Sequence, residues 1–159
     1  MLADGRIGAA PPIAISDSSA IAGPLQTSGF TGFYEQMSEI EVEKTEGREQ
    51  PIPGRWRVPL KHIADAFTDG RVPTGDGIRS FNAKVATANF ESIEDYPDAT
   101  GPLHDASWET SICVWEGDHW QVLVDLTTVS GERSDLVLHA KVFELDDRVE
   151  IEPGLIYVP

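Results

Sequence analysis

The sequence is short of positive charge, of cysteine and of long apolar runs. Lys and Arg number 12 against 27 Asp and Glu, a formal charge of −15. Such a surface repels nucleic acid backbones and anionic membranes, so neither is expected as a direct partner. It attracts basic proteins or cations, although acidity also serves solubility alone. A single cysteine, Cys113, excludes an internal disulfide and fits a reducing compartment. No apolar run approaches the roughly 18 residues of a membrane helix, and no apolar stretch of signal-peptide type opens the sequence. A cytoplasmic location is therefore expected.

Catalytic and ligand motifs are also missing. There is no HExxH, no paired CxxC, no EF-hand loop and no GxSxG elbow. "GDGIRS" has neither the lysine nor the glycine spacing of a P-loop. No cofactor is implied and no catalytic residue stands out. Cys113 falls mid-strand among apolar neighbours, where a thiol is usually inert packing. A metal site would have to draw on His119, Asp125, Asp135 and His139. Along a strand, however, His119 and Asp125 lie roughly 20 Å apart.

What is present divides into two parts within 159 residues, a length that suits one domain. Residues 1–53 are rich in Gly, Pro, Ser and charge, and read as an N-terminal extension. "PPIAIS" or "SEIEVEK" could each add a short strand, Ile40 and Val42 alternating with glutamates in the second. Residues 54–159 read as an α+β domain. Trp56, Leu60, Ile63 and Phe67 recur at helical spacing, with Pro59 expected in the first turn and Gly70 as the stop. A second helix is expected from a cap at Asp76, with Phe81, Val85 and Ala88 on its inner face. The period then falls to two, giving strands at about 108–115, 119–128, 135–144 and 148–158. Short turns at Gly117-Asp118, Ser130–Glu132 and Asp146-Asp147 connect them. The expected fold is two helices packed on a four-stranded antiparallel meander.

Turn chemistry sets the register. With Gly117-Asp118 as the turn, Trp115 opposes Trp120 and Cys113 opposes Val122. Trp115, Cys113, Trp120, Val122, Val124 and Leu126 then share one face, leaving Trp108, Ile112, Val114 and Leu123 on the other. Both faces are too apolar for water. Helices cover one; the extension, a second copy of the chain or a partner must cover the other. A two-residue turn at Gly131-Glu132 would set Val124 against His139 and hide the wrong side chains. An odd-length loop or a bulge near Ser130–Arg133 is therefore expected.

Between Lys84 and Arg133 no Lys or Arg occurs, yet ten acids do. The stretch contains the tryptophan-rich hairpin. Aromatic anchors among acids suit docking on a basic protein, with charge steering the encounter and tryptophan supplying the burial. The candidate contact residues are Trp108, Glu109, Trp115, Glu116, Asp118 and Trp120. Asp125 interrupts the apolar "VLVDLTT" and is expected to pair across the turn with Arg133, beside Asp135.

"WETSICVW", "HWQVLVDLTTVSGERSDLVLHAKV" and "IYVP" resemble a small bacterial domain family with no assigned function. Its members read roughly W-x-x-S…W…W-x-V-x-V-D-L…R-S-D-L-x-L…V-Y-V-P. The resemblance covers about residues 55–159 and marks Trp108, Trp120, Asp125, Arg133, Ser134, Asp135 and Tyr157 as family positions without giving them a role. The sequence departs from it in the long extension and in "DATGPLHDA". Three functions remain in view. One is a non-catalytic module that inhibits a basic toxin or nuclease, in the manner of an immunity protein. The second is an assembly subunit that packs its extension on a neighbour. The third is a metal-dependent hydrolase or ligand-binding domain.

Overall fold

The stripe Trp56, Leu60, Ile63 and Phe67 forms the buried side of helix α1 (Gly54–Thr68). Pro59 lies in its second turn rather than its first, because the helix starts two residues before Trp56. Pro59 has no N–H to give there, so the helix forgoes one rung of its hydrogen-bond ladder. Gly70, at φ 75°, ends the helix in the left-handed conformation that terminal glycines favour. Helix α2 (Ala83–Asp95) starts later than expected. Asn82, not Asp76, is its cap, the side chain accepting the Lys84 N–H at 2.8 Å. Its inner face is Ala86 and Asn89, so the expected Phe81–Val85–Ala88 row is one residue out of phase and Phe81 precedes the helix.

The computed structural model describes residues 40–159, and Ile40–Pro159 form one compact unit. The boundary expected at residue 53 therefore moves. Residues 49–53, assigned to the extension, supply strand β1 (Glu49–Pro51) and the fully buried Ile52. Residues 40–44 of "SEIEVEK" form no strand, and "PPIAIS" lies outside the described residues.

Strands β2 (Ile112–Trp115), β3 (Trp120–Thr127), β4 (Arg133–Glu144) and β5 (Val149–Tyr157) follow, and the sheet runs β1-β2-β3-β4-β5, antiparallel throughout. It has five strands, not four, because β1 adds to the edge beside β2. Trp108 lies outside the sheet, on a 3-10 turn (Asp105–Glu109) ahead of β2.

The first hairpin has the expected register, Trp115 opposite Trp120 and Cys113 opposite Val122. The Glu116 N–H donates to the His119 carbonyl at 2.9 Å around Gly117 and Asp118. The β3–β4 connection is odd: Thr127 opposes Arg133, leaving the five residues 128–132 as the loop. Leu136, Leu138, Ala140 and Val142 thus share the core face with Val122, Val124 and Leu126. The ladder also slips between Asp125 and Thr127. There Ser134, itself buried, bridges the gap: its hydroxyl donates to the Leu126 carbonyl at 2.9 Å and accepts the Leu136 N–H at 3.1 Å.

Both helices contact the sheet, and the core between is centred on Trp120. Its ring lies 5.5 Å from Trp56 and 5.1 Å from Trp115, and its Nε1–H donates to Glu144. The outer edge of β5 is occupied. Asn89 donates to the Gly154 carbonyl at 2.9 Å and accepts the Ile156 N–H at 2.6 Å. Further along, Arg79 N–H donates to Ile151 O and Ile151 N–H to Gly77 O.

Two substitutions test these fastenings. Asn89→Ala and Ser134→Ala each leave a backbone carbonyl and N–H unpaired, and each is expected to cost about 2–3 kcal/mol. Urea unfolding should show both as lowered midpoints at unchanged slope.

Candidate functional site

Antiparallel strands return distant stretches of chain to the same end of the sheet. The starts of β2 and β4 and the ends of β3 and β5 meet at one end; the β2–β3 turn lies at the other, about 25 Å away along β3. The candidate contact residues divide between these ends. Trp108 and Glu109 stand at the first; Trp115, Glu116, Asp118 and Trp120 stand at the second.

At the turn, Trp120 is completely buried and offers no surface, contrary to its expected role as a contact residue. Trp115 is half-buried beneath Lys44, whose ammonium sits 4.8 Å from the ring centroid. Lys44 and Arg55 both lie 3.7 Å from Glu144. The exposed Glu116 and Asp118 therefore share this end with cations, and Asp118 also lies 2.6 Å from His119 Nδ1. Hydrophobicity made the tryptophans look like contact anchors; packing against α1 uses them internally.

The opposite end gathers acids from four separate segments. Asp95 closes α2, and Tyr96 beside it accepts the Asp135 N–H at 3.0 Å. The loop carrying Asp98 is tied to the β3–β4 loop by Val129 N–H to Ala99 O and Gly101 N–H to Thr127 O. Buried Thr127 receives the His104 N–H at 3.0 Å and donates to Pro102 O, which places Asp105 and Glu109 alongside. Asp98, Asp105, Glu109, Glu132 and Asp135 are all exposed here. So are Val129, Val158 and Tyr157, at 70%, 52% and 40%. The cations at this end include Lys61, held at 2.7 Å by Asp65, and Arg57, set over the Trp108 ring.

An open cleft of about 430 Å³ sits among these acids, lined by Thr110, Asp125, Arg133, Ser134, Asp135, Val137, Val158 and Pro159. Residues far apart in the sequence, from "WETS", "VDL", "RSDL" and "YVP", meet in it. Asp125 does not pair with Arg133. It accepts the Thr110 hydroxyl at 2.5 Å, and its N–H donates to Ser111 Oγ at 2.9 Å. Asp125 opposes Val137 in the same register as the rest of β3, while Arg133 stands opposite Thr127 beyond the slip, and Arg133 makes no ion pair among the described residues. Thr110 and Tyr96 were missed from the sequence. Ser111 stood in the family pattern and Thr110 only at one of its unspecified positions, and nothing in the spacing of "WETS" announces that these hydroxyls reach β3.

The four residues considered for a metal are spread out. His119 is at the turn, Asp125 and Asp135 at the acidic end, and His139 mid-strand, stacked on Tyr157 at 4.6 Å. Among the described residues, no group of three or more His, Cys, Asp or Glu is placed to hold a metal ion. No helix among them is long and apolar enough to cross a membrane.

A small α+β domain with a charged cleft where its strands end is the class that fold and site define. Residues 64–159 match the family described as "Domain of unknown function (DUF7668)", and the chain belongs to it. The match begins within α1, so β1 and the first turns of α1 fall outside it although they build the same core. No curated protein and no solved structure matches the chain.

Two titrations check this environment. Burial pushes the Cys113 thiol up to about 12, an effect that Arg55 offsets and Glu144 reinforces. Cys113 should resist a thiol reagent at pH 8 in the folded protein and react fully in denaturant. Burial lowers the His139 imidazole below its ordinary 6.5. The unfolded chain then takes up this proton first, so its contribution to stability is complete above pH 6.5 and declines as pH falls through the folded value. An NMR titration should place the His139 midpoint below 6.5.

Proposed function

We propose that this domain is a non-catalytic binding module that docks on a basic protein through the acidic end of its sheet, in the cytoplasm. The specific form we propose is an immunity-type inhibitor of a basic toxin or nuclease. One observation carries the reading. Asp98, Asp105, Glu109, Glu132 and Asp135 are exposed at the same end of the sheet as the exposed Val129, Tyr157 and Val158. Acids and apolar side chains at one end suit an interface in which charge speeds encounter and apolar contact holds the complex. The 430 Å³ cleft carries Asp125 and Asp135 together with Arg133, so its walls offer partners to charges of both signs.

A second reading, self-assembly, draws on a different feature. Ile112, Val114 and Leu123 are half-buried on the sheet face turned away from the helices. The described part of the extension does not serve this purpose, because residues 49–53 are built into their own domain.

The two ends of the sheet provide the test. The tagged protein is used to capture its partner from native extract at low salt, followed by binding kinetics with the purified partner. Glu109→Lys with Glu132→Lys is expected to slow association about tenfold or more and flatten its salt dependence. Glu116→Lys with Asp118→Lys should change either little. A partner indifferent to the first pair, or recovery of the chain's own copies alone, would sink the docking reading.

A further inference from the structure

We propose that the cleft between residues 72–81 and α2 is a binding site for a small, uncharged, largely apolar molecule. It encloses about 520 Å³, within the range of small-molecule sites, and its walls include Val72, Ile78, Phe81, Ala86, Thr87 and Phe90. It is separate from the acidic end of the sheet and independent of the docking reading.

The walls are held apart by bonds that do not depend on an occupant. His62 of α1 meets the Thr74 carbonyl at 3.2 Å. The Ile78 N–H closes a turn on Gly75 O, and the Gly77–Arg79 backbone is bonded to Ile151 of β5 on both sides. Gly77, at φ 82°, makes that approach; a Cβ there would stand 3.3 Å from Val149 O. Phe81 and Phe90 are backed by the buried Phe67, with ring centroids 6.1 and 5.9 Å away. Loop and helix therefore cannot close on each other without giving up these bonds, and a rigid apolar cleft favours a ligand that needs no rearrangement.

The charge of the ligand follows from Arg79, the one charged residue among the described residues of the lining. Its guanidinium sits 3.6 Å over the Phe143 ring, and its Nε donates to Glu150 at 2.9 Å. Phe143 alternates with the buried Val142 and so projects from the sheet face opposite the helices. The cation is directed away from the cleft, an anion gains no partner, and the net −15 opposes its approach. Among the described residues, no carboxylate lines the cleft to receive a cation. The polar groups left on the wall are hydroxyls. Thr87 Oγ1 donates to the Ala83 carbonyl at 3.4 Å and keeps its acceptor capacity, and Ser80 is exposed beside it. One hydrogen bond to a neutral donor, with hydrocarbon or aromatic contact elsewhere, satisfies the site.

The test uses two fluorescent probes that share a ring system, at 0.15 M salt. Neutral N-phenyl-1-naphthylamine should bind the full-length protein at one saturable site. Its sulfonated analogue, 8-anilino-1-naphthalenesulfonate, should bind about tenfold more weakly, because burying the sulfonate without a partner is costly. Thr87→Trp fills the cleft from an exposed position and should abolish binding with the circular dichroism spectrum unchanged. Val72→Trp, from the opposite wall, should do the same if the first variant folds poorly. Absence of a saturable site, binding that survives both tryptophan variants, or equal affinity for the sulfonate would each overturn the proposal.

Discussion

A sheet with helices on one side only tolerates no odd error in register, because a single-residue slip exchanges every core side chain for an exposed one. The connection between β3 and β4 meets this constraint with five residues, 128–132, where the Gly131-Glu132 dipeptide alone would suggest two. The rest of the molecule depends on that parity. It sets Val122, Val124 and Leu126 beside Leu136, Leu138 and Ala140, gives α1 and α2 a continuous apolar surface, and turns His139 and Asp125 to the other side. The further slip opposite Leu126 changes the spacing without changing the face. The Ser134 hydroxyl stands in for the backbone pairing lost there, at the point where the ladder opens into the charged cleft.

That cleft shows how a meander turns sequence order into chemistry. Each hairpin carries the chain out and back, so the start of β2 and the end of β3, 15 residues apart, share one end of the sheet while the turn between these strands lies at the other. The acids between Lys84 and Arg133 are sorted in this way. Glu116 and Asp118 go to the turn, where Lys44 and Arg55 moderate the local field. Asp98, Asp105, Glu109 and Glu132 go to the other end, where Lys61 is held by Asp65 and Arg57 lies over Trp108. Formal charge counted along the sequence cannot distinguish the two ends; the topology does.

The legible parts of the fold were those fixed by local periodicity and turn chemistry. The Trp56–Phe67 stripe, the Gly70 stop, the Trp115–Trp120 pairing and the odd β3–β4 connection all depend on residues near one another in the sequence. Features governed by distant partners were obscure. Glu49–Pro51 is a strand because β2 supplies a ladder; its three residues carry no period of their own. The second helix was placed out of phase because its inner face includes Asn89, a polar residue buried for what it does to β5 rather than for hydrophobicity. For the same reason the site was only half visible. The family pattern named Asp125, Arg133 and Asp135 but not their geometry, and an expected ion pair became a contact between Asp125 and Thr110.

The fastening of β5 reaches beyond local stability. An outer strand of nine residues with free N–H and C=O groups is a template on which another chain can add a strand. Here Asn89 takes the groups at Gly154 and Ile156, and Gly77–Arg79 take those of Ile151. Sheet growth from one molecule to the next is therefore blocked at β5 by a single amide side chain and a short stretch of loop. Loosening either would make the first failure of this protein a gain of unwanted partners, with fibrous or amorphous aggregation preceding any loss of the core.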